Sequence, residues 1–98
     1  METITLKQGE SHLISLHGLA SAGYQWILQS IDPQIAVVEE ILYSREEVAV
    51  PVAGSLDQRF KLTAIAPGHT LVRFIQRRRF EPAEKPHASY EISVVVTG

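Results

Sequence analysis

The chain has 98 residues, 45% of them hydrophobic and 20% charged, with a formal net charge of −2 and no cysteine. That length fits one domain, 1–98, which buries roughly 60–70% of its unfolded surface and so can hold a core without covalent staples. The missing cysteines exclude disulfides, thiolate catalysis and cysteine-held zinc or iron–sulfur centres, and the acidic balance argues against nucleic acid or acidic membranes as partners.

No apolar run approaches the roughly 20 residues that span a bilayer, so no membrane association is expected. No basic start precedes an apolar stretch, so no signal peptide is expected either. The compartment stays open: the cytoplasm, or the periplasm or exterior if a leader has been removed. The sequence has no asparagine and therefore no acceptor for N-glycosylation.

In chain order, Thr3 to Lys7 alternates apolar and polar residues and stops at Gln8-Gly9-Glu10, which reads as a first strand. Ser11 to His17 alternates again, with the inward face ambiguous. Leu19 to Gly23 is a run of small residues flanked by glycine, a composition suited to a sharp, compact loop. Tyr24 to Ile31 reads as a third strand, with Tyr24, Trp26 and Leu28 on one side, halted by Asp32-Pro33. Ile35 to Tyr43 is rich in β-branched residues and reads as one extended strand. Ser44 to Ser55 combines a charged turn with a weakly patterned stretch that suggests a second exposed loop. Gln58 to Ala64 alternates most clearly of all, with Phe60, Leu62 and Ala64 sharing a face. Pro67-Gly68 signals a turn. Leu71 to Ile75 is the next strand, Arg77 to Pro86 reads as a polar loop, and Tyr90 to Val96 closes the chain. Seven or eight short strands without a convincing helix imply an all-β, immunoglobulin-like β-sandwich of antiparallel strands.

Catalytic chemistry finds little support. His12, His17, His69 and His87 miss the spacings that place two imidazoles on one metal. They read as solvated surface groups, so no metal or cofactor is expected. No serine sits in a nucleophile elbow. The pairs Glu39-Glu40 and Glu46-Glu47 splay to opposite strand faces, as solvating charges do. Arg77, Arg78 and Arg79 next to Phe80 read equally well as loop charges near Glu81 and Glu84 or as the edge of a protein-binding surface.

Leu19-Ala20-Ser21-Ala22-Gly23-Tyr24 followed by Trp26, Val52-Ala53-Gly54-Ser55 ahead of Phe60, and Pro67-Gly68 ahead of Arg78-Arg79-Phe80 stand in a telling order. With these motifs the chain resembles the chagasin-type inhibitors of papain-like cysteine peptidases. Their first loop reads Asn-Pro-Thr-Thr-Gly-Tyr/Phe and their third Arg-Pro-Trp, and the resemblance covers essentially the whole chain. Framework positions match, whereas the first-loop Asn, Pro and both Thr are replaced, as are the Pro and Trp of the third.

The resemblance implies a monomeric, non-enzymatic protein whose partner is a papain-like cysteine peptidase. Three loops at one end of the sandwich would occlude the peptidase cleft reversibly. The implied contacts are Ser21, Ala22, Gly23 and Tyr24 in the first loop, Ala53, Gly54 and Ser55 in the second, and Arg78, Arg79 and Phe80 in the third. Gly23 would permit close backbone approach, Tyr24 would buttress it, Phe80 would anchor and Arg78 would add a directional polar contact. The rewritten loops leave an alternative open, a non-inhibitory protein-binding module on the same scaffold.

Overall fold

A computed structural model describes residues 2–18, 24–42, 57–78 and 88–98. They form seven strands: β1 (Glu2–Lys7), β2 (Ser11–Leu16), β3 (Tyr24–Ser30), β4 (Ala36–Ile41), β5 (Gln58–Ala64), β6 (Gly68–Arg78) and β7 (Ala88–Thr97). One sheet has the order β1-β7-β6-β3 and the other β2-β5-β4. Alternation decides what each strand buries. Phe60, Leu62 and Ala64 of β5 face Val72 and Phe74 of β6 and Ile92, Val94 and Val96 of β7 across the sandwich, all buried. The Phe60 and Phe74 rings pack 4.7 Å apart at 46°, and the Tyr90 ring extends the cluster. The ambiguous face of β2 resolves with Ile14 and Leu16 inside and Leu13 exposed.

The strands differ from the sequence reading in three respects. Not every pair is antiparallel: β1 runs parallel to β7, from Glu2 opposite Ile92 to Lys7 opposite Thr97. The chain leaves β1 for the other sheet, so no hairpin forces its direction. Second, β3 is irregular between Leu28 and Ser30, and Leu28 is exposed instead of sharing the burial of Trp26. Third, Arg77 and Arg78 belong to strand and not to loop. The neighbouring strands carry β6 onward, with Gln25 opposite Arg77, Tyr24 opposite Arg78 and Gln76 opposite Ala88. The expected second loop within 44–55 lies outside the described residues, as do positions 79–86 of the expected third loop.

The strands run between two poles. At one, the turn pole, the connections 8–10, 31–35 and 65–67 are short. At the other, the loop pole, the chain passes from β2 to β3, from β4 to β5 and from β6 to β7. No helix among the described residues is long and apolar enough to cross a membrane.

Candidate functional site at the loop pole

Register fixes where the three connections begin and end. In the three-stranded sheet Leu16 stands opposite Gln58, and Ile41 opposite Arg59, so the end of β2, the end of β4 and the start of β5 lie at one height. In the four-stranded sheet Tyr24 stands opposite Arg78, and Gln76 opposite Ala88, which brings the start of β3, the end of β6 and the start of β7 together. Hydrogen bonds between the sheets join these two groups. The indole Nε1–H of Trp26 and the amide Nε2 of Gln76 both donate to the backbone carbonyl of His17, at 2.9 and 3.3 Å. Gln58 Oε1 accepts the backbone N–H of Trp26 at 2.6 Å, and Gln58 Nε2 donates to the Trp26 carbonyl at 3.2 Å. The stems of all three connections therefore share one pole.

Of the candidate contact residues, Tyr24 and Arg78 lie in these stems, and the structure brings them together. They are cross-strand partners, with the Arg78 guanidinium carbon 5.2 Å from the centre of the Tyr24 ring. A guanidinium over a tyrosine face is attracted by the ring quadrupole, and the ring in turn holds the long side chain in one place. Arg78 is exposed and Tyr24 half-buried, so the pair presents charge and apolar surface side by side at the rim. Ser21, Ala22, Gly23, Ala53, Gly54, Ser55, Arg79 and Phe80 lie outside the described residues.

Beside the rim, His17 Nδ1 is 3.7 Å from Asp57 Oδ1, with the two side chains 81% and 50% exposed. This contact joins the stems of the first and second connections, and at such exposure an ion pair contributes only ~0–1 kcal/mol. His69 Nε2 and Ser93 Oγ sit 2.6 Å apart, but near the turn pole on an exposed sheet face. Among the described residues no group of three His, Asp or Glu side chains could hold a metal ion. Among the described residues the loop pole offers a hydrogen-bonded frame, with no nucleophile and base set against one another.

The sequence reading passed over the two glutamines. The signal was present: Gln76 continues the inward row Val72, Phe74, and Gln58 begins the inward row Phe60, Leu62, Ala64. A polar side chain on a buried face needs hydrogen-bond partners, so each position marks a bonded network.

The fold has counterparts among solved structures. The cysteine protease inhibitor EhICP2 from Entamoeba histolytica superposes with a TM-score of 0.74 at 18% identity, over 97% of this chain and 85% of that one. PbICP-C, solved in complex with falcipain-2, gives 0.70 at 24% identity over 98% and 88%. Amebosin gives 0.66 at 25% identity over 97% and 88%. No curated protein sequence matches. The family model described as Chagasin family peptidase inhibitor matches residues 5–94, and a match over nearly the full length places this chain in the chagasin family of peptidase inhibitors.

Proposed function

We propose that this chagasin-family protein inhibits papain-like cysteine peptidases by seating its loop pole in their active-site cleft. The observation that carries this reading is the convergence of all three connection stems at one end of the sandwich, bonded to one another across the sheets. A wedge built on such a frame denies the cleft to substrate without forming a covalent bond, and the chain is not an enzyme. Connections whose stems are fixed before binding have less freedom to lose on docking, which favours tight association by a modest surface. The contact set is Ser21, Ala22, Gly23 and Tyr24, then Ala53, Gly54 and Ser55, then Arg78, Arg79 and Phe80. Partner and inhibitor meet as one monomer each. The complex of PbICP-C with falcipain-2 shows this kind of partner on the same fold.

Titration of a panel of papain-like enzymes with a fluorogenic substrate tests the reading. We expect reversible, competitive inhibition, and its loss in Gly23→Val, whose branched side chain would crowd the closest backbone approach while leaving the melting temperature near that of the parent. No inhibition at micromolar protein across the panel would overturn the assignment. A second reading is favoured by one feature, the replacement of Asn-Pro-Thr-Thr by Leu19-Ala20-Ser21-Ala22. On that reading the same pole binds a protein other than a peptidase, and capture of such a partner, lost in Phe80→Ala, would support it.

A further inference from the structure

We infer that Gln58 and Gln76 are positioning residues that lock the stems of the three loop-pole connections into one unit; the consequence for peptidase binding rests on the function proposed above.

Gln58 bonds to Trp26 directly, and Gln76 meets it through a shared acceptor, the His17 carbonyl. The first connection begins at His17, whose carbonyl receives both the Trp26 indole N–H and the Gln76 amide. A carbonyl oxygen has two lone pairs, so both donors are accommodated at once. The third connection leaves β6 two residues beyond Gln76, which is only 3% exposed. The second connection enters β5 at Gln58.

Among the described residues strand β3 lies at the edge of its sheet, and Trp26 has no strand neighbour there on the side away from β6. The primary amide of Gln58 fills that role. It presents one acceptor and one donor to the Trp26 N–H and C=O, as a peptide unit of a missing strand would. Trp26, itself buried, thus becomes the shared anchor of all three stems.

Stability alone does not call for this arrangement. Leucine at position 76 would continue the apolar row of Val72 and Phe74, and the His17 carbonyl would keep the Trp26 indole N–H as its donor, so that acceptor would not be left unpaired. Replacing Gln58 removes two hydrogen bonds at a half-buried sheet edge. What both glutamines supply, and an apolar side chain does not, is a fixed direction and distance between stems. Holding separate loops in a single relative placement is what limits the ordering cost when they dock together.

The test compares the parent with Gln58→Leu, Gln76→Leu and the double variant. Melting temperature, the inhibition constant for a papain-like enzyme, and hydrogen exchange of the two Trp26 N–H groups are measured for each. Removing Gln58 frees the Trp26 backbone N–H directly, so the informative readings are the crossed ones. We expect Gln58→Leu to speed exchange of the indole N–H by about tenfold, and Gln76→Leu to speed the backbone N–H of Trp26 by a similar factor, as coupled opening requires. The N–H groups of Gly9 and Ile65, bonded at the turn pole, should not change. Each variant should raise the inhibition constant about tenfold, with less than additive loss in the double variant. Crossed exchange that stays at the parent rate would overturn the interlock, as would faster exchange with an unchanged inhibition constant. Should the parent inhibit no peptidase, the proposed function falls, and the crossed exchange by itself decides the interlock.

Discussion

At the turn pole Gln8, Gly9 and Ile65 donate backbone N–H groups to Thr97, Ala64 and Ile35 at 2.8–2.9 Å, whereas the loop pole is tied through the side chains of Gln58, Gln76 and Trp26. Turn 8–10 alone bonds to both sheets, reaching Thr97 of one and Ala64 of the other. Backbone bonds survive side-chain substitution. A pole closed largely by them tolerates change except where a side chain is itself the partner, as Thr70 is for the Asp32 N–H, or where a Cβ does not fit, as at Gly68. The loop pole is different, because its geometry depends on the identity of a few side chains. Shape at that end is therefore separable from fold, and variants at the two poles should divide into those that lower stability and those that change the presented surface.

The largest effect is expected at Trp26, where the two roles meet. It is 8% exposed, and its indole also satisfies the His17 carbonyl. Trp26→Ala should cost about 3–5 kcal/mol, read as a fall in thermal or denaturant midpoint, and should abolish inhibition as well. An unchanged melting temperature would contradict its place as the shared anchor.

The turn-pole counterpart is Gly68. Its φ of +150° is one that other residues rarely adopt, and a methyl group there would lie 2.5 Å from Ile35 Cδ1. Gly68→Ala should therefore destabilise by about 1–3 kcal/mol through strain and overpacking. Assayed where it is fully folded, it should inhibit as the parent does. A changed inhibition constant under those conditions would show that the two poles are not independent.

How much of this was legible in the sequence follows from what each pattern encodes. Phe60, Leu62 and Ala64 announced β5 because a period of two with one apolar face has few other solutions. The extension of β6 through Arg78 was hidden, since Gln76, Arg77 and Arg78 read as loop by composition and only pairing with Tyr24 and Ala88 makes them strand. The parallel direction of β1 was hidden for another reason: alternation looks the same in either orientation. Tyr24 and Arg78 were legible one at a time as candidate contacts, yet their pairing required the register. Gln58 and Gln76 carried a signal, a polar residue on an apolar row, but their common dependence on Trp26 is a property of three dimensions.

The Tyr24–Arg78 pair should give a smaller effect. A cation over an aromatic face at a partly exposed site contributes about 0.5–1 kcal/mol. A double-mutant cycle of Tyr24→Leu and Arg78→Met, read by denaturant unfolding, should return a coupling of that size. Zero coupling would mean that the guanidinium and ring are neighbours without mutual attraction, and the rim would lose its claim to being held before binding.

The smallest effect concerns the corner of the loop pole where β7 begins. Among the described residues the pairing of β1 with β7 begins at Glu2 opposite Ile92, and β7 itself begins at Ala88. There the Tyr90 hydroxyl reaches Glu2 Oε1 at 2.6 Å. Burial first, and then the hydrogen bond to the Glu2 carboxylate and its negative charge, push the Tyr90 hydroxyl up from 10.0 to about 12. The folded protein thus holds this proton more tightly than the unfolded chain does. The resulting stabilisation is complete below about pH 10, declines above it, and is gone once the pH has passed about 12. Unfolding curves measured across that alkaline window should fall more steeply for the parent than for Tyr90→Phe, which has no proton to lose. Parallel curves would show that the hydroxyl is equally solvated in both states, and that the corner is closed by the ring of Tyr90 against Phe74 instead of by its bond to Glu2.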